Sequence, residues 1–403
     1  MSSTAAPLPR PIAVSHLHLS ELAPALVQSE IRAMSMACTA TGGINLAQGI
    51  CDTDPPHPVV EAALAAIRDG HNIYTRMDGI TSLREGIAAK LAAFNGIHVS
   101  ADQVLVTSGA TGAMQAALMA LLNPGDECVV LEPFYGYHVS TLRSLRVTPV
   151  IVPMEAPAGA LGWTLDWDRL RAAIGPRTRA MIVNTPCNPS GKVFTLAELE
   201  AIAEIAIAQD LFVLTDEMYE YFVYDGAEPI SLATVPGMAE RTITISGFSK
   251  TFSVTGWRLG YLTASDKWLP AIGYFHDLVY VCAPAPLQHG AAAGLLQLPA
   301  SFYSELAAEY QGKRDEMCSA LTAAGLTPSV PAGAYYVLAD ASRITGETAA
   351  LKARRLLADT GVAAVAGSAF FGGGRGDSLL RFCFAKKAEE LGEACQRLRA
   401  YRG

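Results

Sequence analysis

The feature that most constrains this chain is a repeated change of hydrophobic period. Short β-branched apolar runs, "QVLVTSG", "ECVVLEP", "TPVIVPM", "RAMIVNTP", "FVLTDE" and "TITISG", each end in turn-forming or polar residues. Between them stand "GAMQAALMALLN", "DWDRLRAAIG" and "TLAELEAIAEIAIAQD", whose apolar residues recur at helical spacing. Runs without polar alternation suit strands buried on both faces. Strands alternating with helices predict an α/β fold with a mostly parallel sheet covered by helices, and ligands in the crevice at the carboxyl ends of the strands. Function is therefore expected at the polar residues that close each strand.

After about Leu295 the texture changes. Long helical stretches ("SFYSELAAEYQGKRDEMCSALTAAG", "TAALKARRLLADTG") surround short strands such as "AYYVLAD" and "SLLRFCFA". The reading is a large domain over 48–294 and a smaller α/β domain made of 1–47 and 295–403, with about 1–15 a flexible lead-in. The 403 residues exceed what one ordinary core holds comfortably. Charged residues are 17% of the chain, against ~25% in an average soluble protein, so much of the sequence is interior or interface and a homo-oligomer is expected.

Composition also excludes. Net charge is −8 and the basic residues are scattered, so there is no basic stripe for a phosphate backbone and nucleic acid is not expected as a partner. No apolar run reaches the ~18 residues of a membrane span. The opening "MSSTAAPLPRPIAV" lacks the basic region and apolar core of a signal peptide. Eight cysteines show no C-x-x-C pair, which argues against a metal site or a disulfide framework and reads as reduced thiols in a cytoplasmic protein.

Each strand end carries two readings. In "VTSGATGAMQAALMALL", Gly109 and Gly112 allow close backbone approach, and amides near Ala110 and Thr111 at a helix N-terminus favour a phosphate; a plain strand-to-helix turn uses the same residues. Asp216, closing "FVLTD", is either a helix N-cap or a charge meant for a ligand, with Tyr219 on the same side if a helical turn follows. In "VNTPCNPSGKVF", Asn184 and Asn188 either close turns or face a ligand oxygen. Lys250, after "TITISGFS", is a surface lysine or a partly buried amine whose lowered pKa makes it a nucleophile able to form a Schiff base. Arg258 follows at a spacing that allows a turn and a returning strand, which would bring its guanidinium to the same phosphate. Taken together these groups describe one ligand, pyridoxal phosphate: a carbonyl for Lys250, a phosphate for Ala110, Thr111 and Arg258, a ring nitrogen for Asp216, a ring oxygen for Asn188 and Tyr219.

The motifs "NTPCNPSGKVF", "TDEMYEYF" and "SGFSKTFSVTGWRLGY", in this order, resemble the fold-type I pyridoxal phosphate enzymes of the class I/II aminotransferase family, and the match runs from "GGINLAQGICDTDPP" to "LLRFCFA". The resemblance implies Lys250 as the Schiff-base lysine and Asp216 as the partner of the ring nitrogen. Tyr219 and Asn188 match the ring-oxygen partners, Arg258 the phosphate arginine, and Ala110 and Thr111 the phosphate loop. It further implies Tyr135 stacked on the ring, with Phe134 as the alternative, and Arg381 clamping the substrate α-carboxylate beside Gly49. Tyr74 in "NIYTRMDG" matches a tyrosine that reaches the phosphate of the neighbouring subunit, implying a homodimer with shared sites. The implied activity is transfer of an amino group from an amino acid to a 2-oxo acid; elimination, cyclisation or oxidation of an amino acid on the same residues is the alternative.

Two positions depart from the family pattern. Gly247 stands where many relatives carry a phosphate-binding hydroxyl, for which Ser246 or Ser249 is the candidate substitute. Cys51 stands where proline is common, as an inert small apolar residue or as one that reshapes the pocket. For a second substrate carboxylate Arg76, Arg143 and His289 are candidates, whereas Phe134, Tyr135 and Tyr137 suit an apolar or aromatic side chain.

Overall fold

The computed structural model describes residues 18–23, 30–156 and 162–402, so the expected lead-in at about 1–15 lies outside the described residues. In chain order the first elements are α1 (Glu30–Thr41), β1 (Ile44–Asn45), α2 (His57–Arg68) and α3 (Thr81–Lys90). The alternating stretch follows: β2 (Val104–Thr107), α4 (Gly109–Leu121), β3 (Glu127–Glu132), α5 (Gly136–Ser144), β4 (Thr148–Glu155), β5 (Thr164–Leu165), α6 (Trp167–Ala172), β6 (Thr178–Asn184), α7 (Leu196–Ala208), β7 (Phe212–Asp216), β8 (Thr242–Gly247) and β9 (Gly260–Thr263). These eight strands form one sheet in the order β2-β9-β8-β7-β6-β3-β4-β5.

From β4 through β3, β6 and β7 to β8 every neighbouring pair is parallel. In β3, β6, β7 and β8 nearly every residue is buried, as the unbroken apolar runs require, whereas in β4, nearer the sheet edge, only Val152 and Met154 are buried. The reversed interior strand is β9, antiparallel to both β8 and β2. The connection from β8 to β9 forms no crossover helix, only a short 3-10 turn at Thr255–Trp257, and the chain returns antiparallel. On one face Leu105, Val130, Ile182 and Leu214 pack against α4 and α8 (Leu269–Tyr280); on the other Val129, Met181 and Val213 pack against α7. Helix α7 starts on a reciprocal cap, the Thr195 hydroxyl accepting from the Glu198 N–H while the Glu198 carboxylate accepts from the Thr195 N–H.

The rest of the chain runs α9 (Ala285–Gln297), α10 (Ala300–Ala323), β10 (Thr327–Ser329), β11 (Tyr336–Asp340), α11 (Ala349–Thr360), β12 (Val362–Ala363), β13 (Val365–Ala366), β14 (Leu379–Cys383) and α12 (Ala388–Ala400). Strands β10, β11, β14 and β13 make an antiparallel sheet, and β1 pairs with β12 in parallel, tying α1 and β1 to this part of the chain. The expected boundary at 294/295 falls inside α9. A core of its own, with Leu46, Met317, Leu321, Leu356 and Phe382, lies under this sheet.

Candidate active site

The carboxyl ends of the parallel strands face the smaller sheet across a cavity of about 460 Å³. Its wall carries Gly49, Ala110, Thr111, Tyr135, Asn188 and Asp216, together with Tyr219, Ser249, Lys250, Arg258 and Arg381. Residues picked out at the ends of separate strands are thus brought together. Tyr74 is outside this group, on the surface and 79% exposed.

Lys250 leaves the turn after β8 and donates from Nζ to the Gly49 carbonyl at 2.9 Å. Its pKa is lowered from the ordinary lysine value, chiefly by burial, with the guanidinium charges of Arg258 and Arg381 acting in the same direction. The Tyr335 hydroxyl donates to the same carbonyl at 3.2 Å, so one backbone oxygen holds both side chains. Gly49 is required by contact: a Cβ there would lie 2.0 Å from Tyr336 Oη. Cys51, two residues on, is buried, and its thiol approaches the Lys250 carbonyl at 3.6 Å. Burial raises its pKa, which keeps it a thiol and agrees with an inert small side chain.

Asp216 ends β7, buried, with Oδ2 at 3.0 Å from His138 Nε2 and Oδ1 accepting from the Met218 N–H at 3.3 Å. His138 sits in the first turns of α5, and no sequence spacing links it to Asp216. The two asparagines divide their work. The Asn184 amide donates to the Asp216 carbonyl at 2.9 Å and its oxygen accepts from the Asn188 N–H at 2.8 Å, which closes the loop. Asn188 accepts from Arg381 Nη1 at 3.0 Å, and its Nδ2 has no protein partner among the described residues.

The turn between β2 and α4 makes an anion site. Gly109 has φ +70°, a conformation that costs other residues strain, and a Cβ on it would sit 2.6 Å from Arg258 Nη2. The Arg258 guanidinium therefore lies directly against the free N–H groups of the first turn of α4, where charge and dipole both favour a phosphate. Ser249 lines the cavity, whereas Ser246 points away and donates to Glu220 Oε1 at 2.7 Å. A hydroxyl-bearing side chain at Gly247 has no room, since its Cβ would lie 2.9 Å from the Gly260 Cα and the Leu259 carbonyl.

Arg381, on β14, is 1% exposed, donates to the Ala47 carbonyl at 2.5 Å, and lies over the Tyr336 and Phe370 rings. Its Nε has no partner among the described residues. A buried cation with a donor to spare fits an incoming carboxylate. Tyr137 lines the cavity beside Tyr135, whereas Phe134 packs into the core beneath the sheet. The candidate cations for a second carboxylate lie elsewhere: Arg76 is paired with Asp78 at 2.7 Å, His289 packs against His71, and Arg143 is outside the cavity wall. The cavity instead presents Arg32 of α1, a residue marked by no sequence motif.

A partly buried amine, an anion site, a carboxylate and a second arginine around one cavity fit pyridoxal phosphate and an amino acid. Comparison with known proteins agrees. The model of the family described as aminotransferase class I and II matches residues 41–398. A probable N-succinyldiaminopimelate aminotransferase of Mycobacterium tuberculosis is 37% identical, the alignment covering 91% of this chain and 94% of that one. An aromatic-amino-acid aminotransferase of Thermococcus litoralis is 35% identical, covering 92% and 94%. A solved structure of the N-succinyldiaminopimelate aminotransferase from Mycobacterium tuberculosis superposes with a TM-score of 0.91 at 36% identity, covering 95% and 99%.

Proposed function

The chain belongs to the family of class I and II aminotransferases and is a pyridoxal phosphate-dependent enzyme that moves an amino group from an amino acid to a 2-oxo acid; on that premise we propose roles for its residues, a substrate class and an assembly. The observation that carries the roles is the convergence on one cavity of Lys250, with its lowered pKa, and Arg381, with its unpartnered Nε.

Lys250 would hold the cofactor through its carbonyl carbon, as a nucleophile, and its amine would hold and move the proton at the substrate Cα. Its lowered pKa suits both tasks, because the neutral amine is the form that attacks and accepts a proton. When bound, the cofactor accepts the electron pair left at Cα when a bond there breaks. Asp216, oriented by His138, faces the ring nitrogen and keeps it protonated. Tyr219 and the free Nδ2 of Asn188 donate to the ring oxygen. Tyr135 covers the ring face. Arg258, Ser249 and the Ala110 and Thr111 amides hold the phosphate. Arg381 takes the substrate α-carboxylate, positioned by Asn188 and the Ala47 carbonyl, with Gly49 leaving the space alongside.

The amino donor carries an apolar or aromatic side chain, a reading supported by Ile31, Met114, Tyr135 and Tyr137 on the cavity wall. Arg32 offers a charge to an acidic acceptor such as 2-oxoglutarate. A screen of single amino acids against 2-oxoglutarate and pyruvate tests this: labelled amine should appear in the acceptor, fastest from apolar or aromatic donors. Consumption of the amino acid with no amine in any acceptor would favour elimination, cyclisation or oxidation instead.

The assembly is a homodimer whose sites are shared through Tyr74. Its support is the exposed apolar set of Ile73 and Tyr74 with Tyr274 and Leu278 on α8. Sedimentation should give twice the chain mass; a fully active monomer would contradict it. All eight cysteines are free, which suits a reducing, cytoplasmic compartment.

A further inference from the structure

Tyr336 opens β11, opposite Cys383 on β14, and its phenol reaches the cavity wall. It is 2% exposed, and its Oη lies 3.0 Å from Tyr219 Oη. On its other side the hydroxyl fills the space left by the missing Gly49 side chain. The Arg381 guanidinium stands 4.3 Å from the ring centroid. This side chain is therefore pinned from three directions, yet none of the proposed cofactor or substrate contacts uses it.

Two phenols at this separation share a single hydrogen bond, so one donates and the other accepts. A cation over an aromatic ring draws on its electron density, which makes Tyr336 the more acidic of the two and hence the donor. Tyr219 then accepts with its oxygen and keeps its own hydrogen for a different partner. A hydroxyl that accepts one hydrogen bond is polarised and donates the next more strongly.

We propose that Tyr336 is a positioning residue that fixes Tyr219 as a one-way hydrogen-bond donor toward the cofactor's ring oxygen. This rests on the reading that Tyr219 faces that oxygen. Hydrogen bonds donated to the ring oxygen withdraw negative charge that would otherwise hold a proton on the Lys250 nitrogen. The pair thus lowers the pH at which that proton leaves, and loss of the Tyr336 hydroxyl raises it. The other titratable and charged groups that face the two phenols are Tyr135, Asp216, Tyr335, Arg381 and Cys383, all retained in the variants below.

The test is a pH titration of the holoenzyme's visible absorption band, which shifts when the proton at the Lys250 nitrogen leaves. Tyr336→Phe keeps the ring under Arg381 and should move the midpoint up by roughly 0.3 to 0.7 pH unit. Tyr336→Met, a second hydroxyl-free side chain that adapts to the gap, should move it the same way. Tyr219→Phe should move it further, and adding Tyr336→Phe to Tyr219→Phe should give no additional shift. Unmoved midpoints in both Tyr336 variants, or an equal shift from Tyr336→Phe with and without Tyr219, would overturn the proposal. A wild-type protein with no visible band at any pH would overturn the cofactor assignment itself, a result distinct from a band whose midpoint does not respond.

Discussion

Replacing Gly109 by alanine separates two effects that the anion site combines. The backbone at Gly109 has φ +70°, so alanine carries a left-handed conformation at a cost of about 1–2 kcal/mol in free and cofactor-bound protein alike. The new Cβ would also lie 2.6 Å from Arg258 Nη2, and the guanidinium must move away from the α4 N-terminus. A hydrogen bond between charged partners is worth about 1.5–3 kcal/mol, so the lost Arg258 contact should weaken cofactor binding by roughly 10- to 150-fold. Cofactor-free protein should thus lose only the strain energy in urea unfolding, while the cofactor dissociation constant, read by fluorescence, rises by the larger factor. Adding Arg258→Ala to Gly109→Ala should weaken binding little further, because both changes remove the same contact. Wild-type cofactor affinity in Gly109→Ala would refute the argument that this glycine exists to let the arginine reach the turn.

Glu217 gives a pH signature. Burial, with the nearby Glu220 charge adding, pushes its pKa up to about 7 from 4.5. A raised carboxyl pKa means stability that is complete below about 4.5 and is lost as pH rises through about 7, a cost of about 3 kcal/mol at higher pH. Glu217→Gln keeps an acceptor for the Ser231 hydroxyl, so it should match wild type near pH 4.5 and exceed it in urea unfolding at pH 8; the same difference at both pH values would contradict this. His138→Leu removes the Asp216 partner at 3.0 Å and should lower kcat/KM by roughly ten- to a hundredfold with the cofactor still bound, whereas unchanged kcat/KM would mean that Asp216 needs no support.

What the sequence revealed was local. The strands that run parallel through the large sheet announce themselves by a period that needs only their own residues, whereas β1, β5, β10, β12 and β13, two or three residues each, are too short to show one; Asp216 and Lys250 stand at or just beyond the ends of β7 and β8, so their placement followed from the strands. The partners of these residues were not legible, because they arrive from distant elements. His138 meets Asp216 across 78 residues of chain, and Tyr336 reaches Tyr219 across 117, through β11 and its register with β14. The choice between Ser246 and Ser249 turned on which way each side chain leaves the end of β8, and Gly247 on how closely β9 packs against it. Arg76 is a candidate cation for a second carboxylate in sequence, yet Asp78, two residues on, pairs with it. Arg32 carried no local signal, since only the approach of α1 to the cavity brings it there.

The central claim is that the Lys250 side-chain nitrogen forms the covalent link to the cofactor. Borohydride reduction of the holoenzyme, digestion and mass spectrometry should find a pyridoxyl phosphate group on the peptide containing Lys250, and none after Lys250→Ala. An unmodified Lys250 peptide from reduced wild-type holoenzyme, or a label on any other lysine, would contradict it.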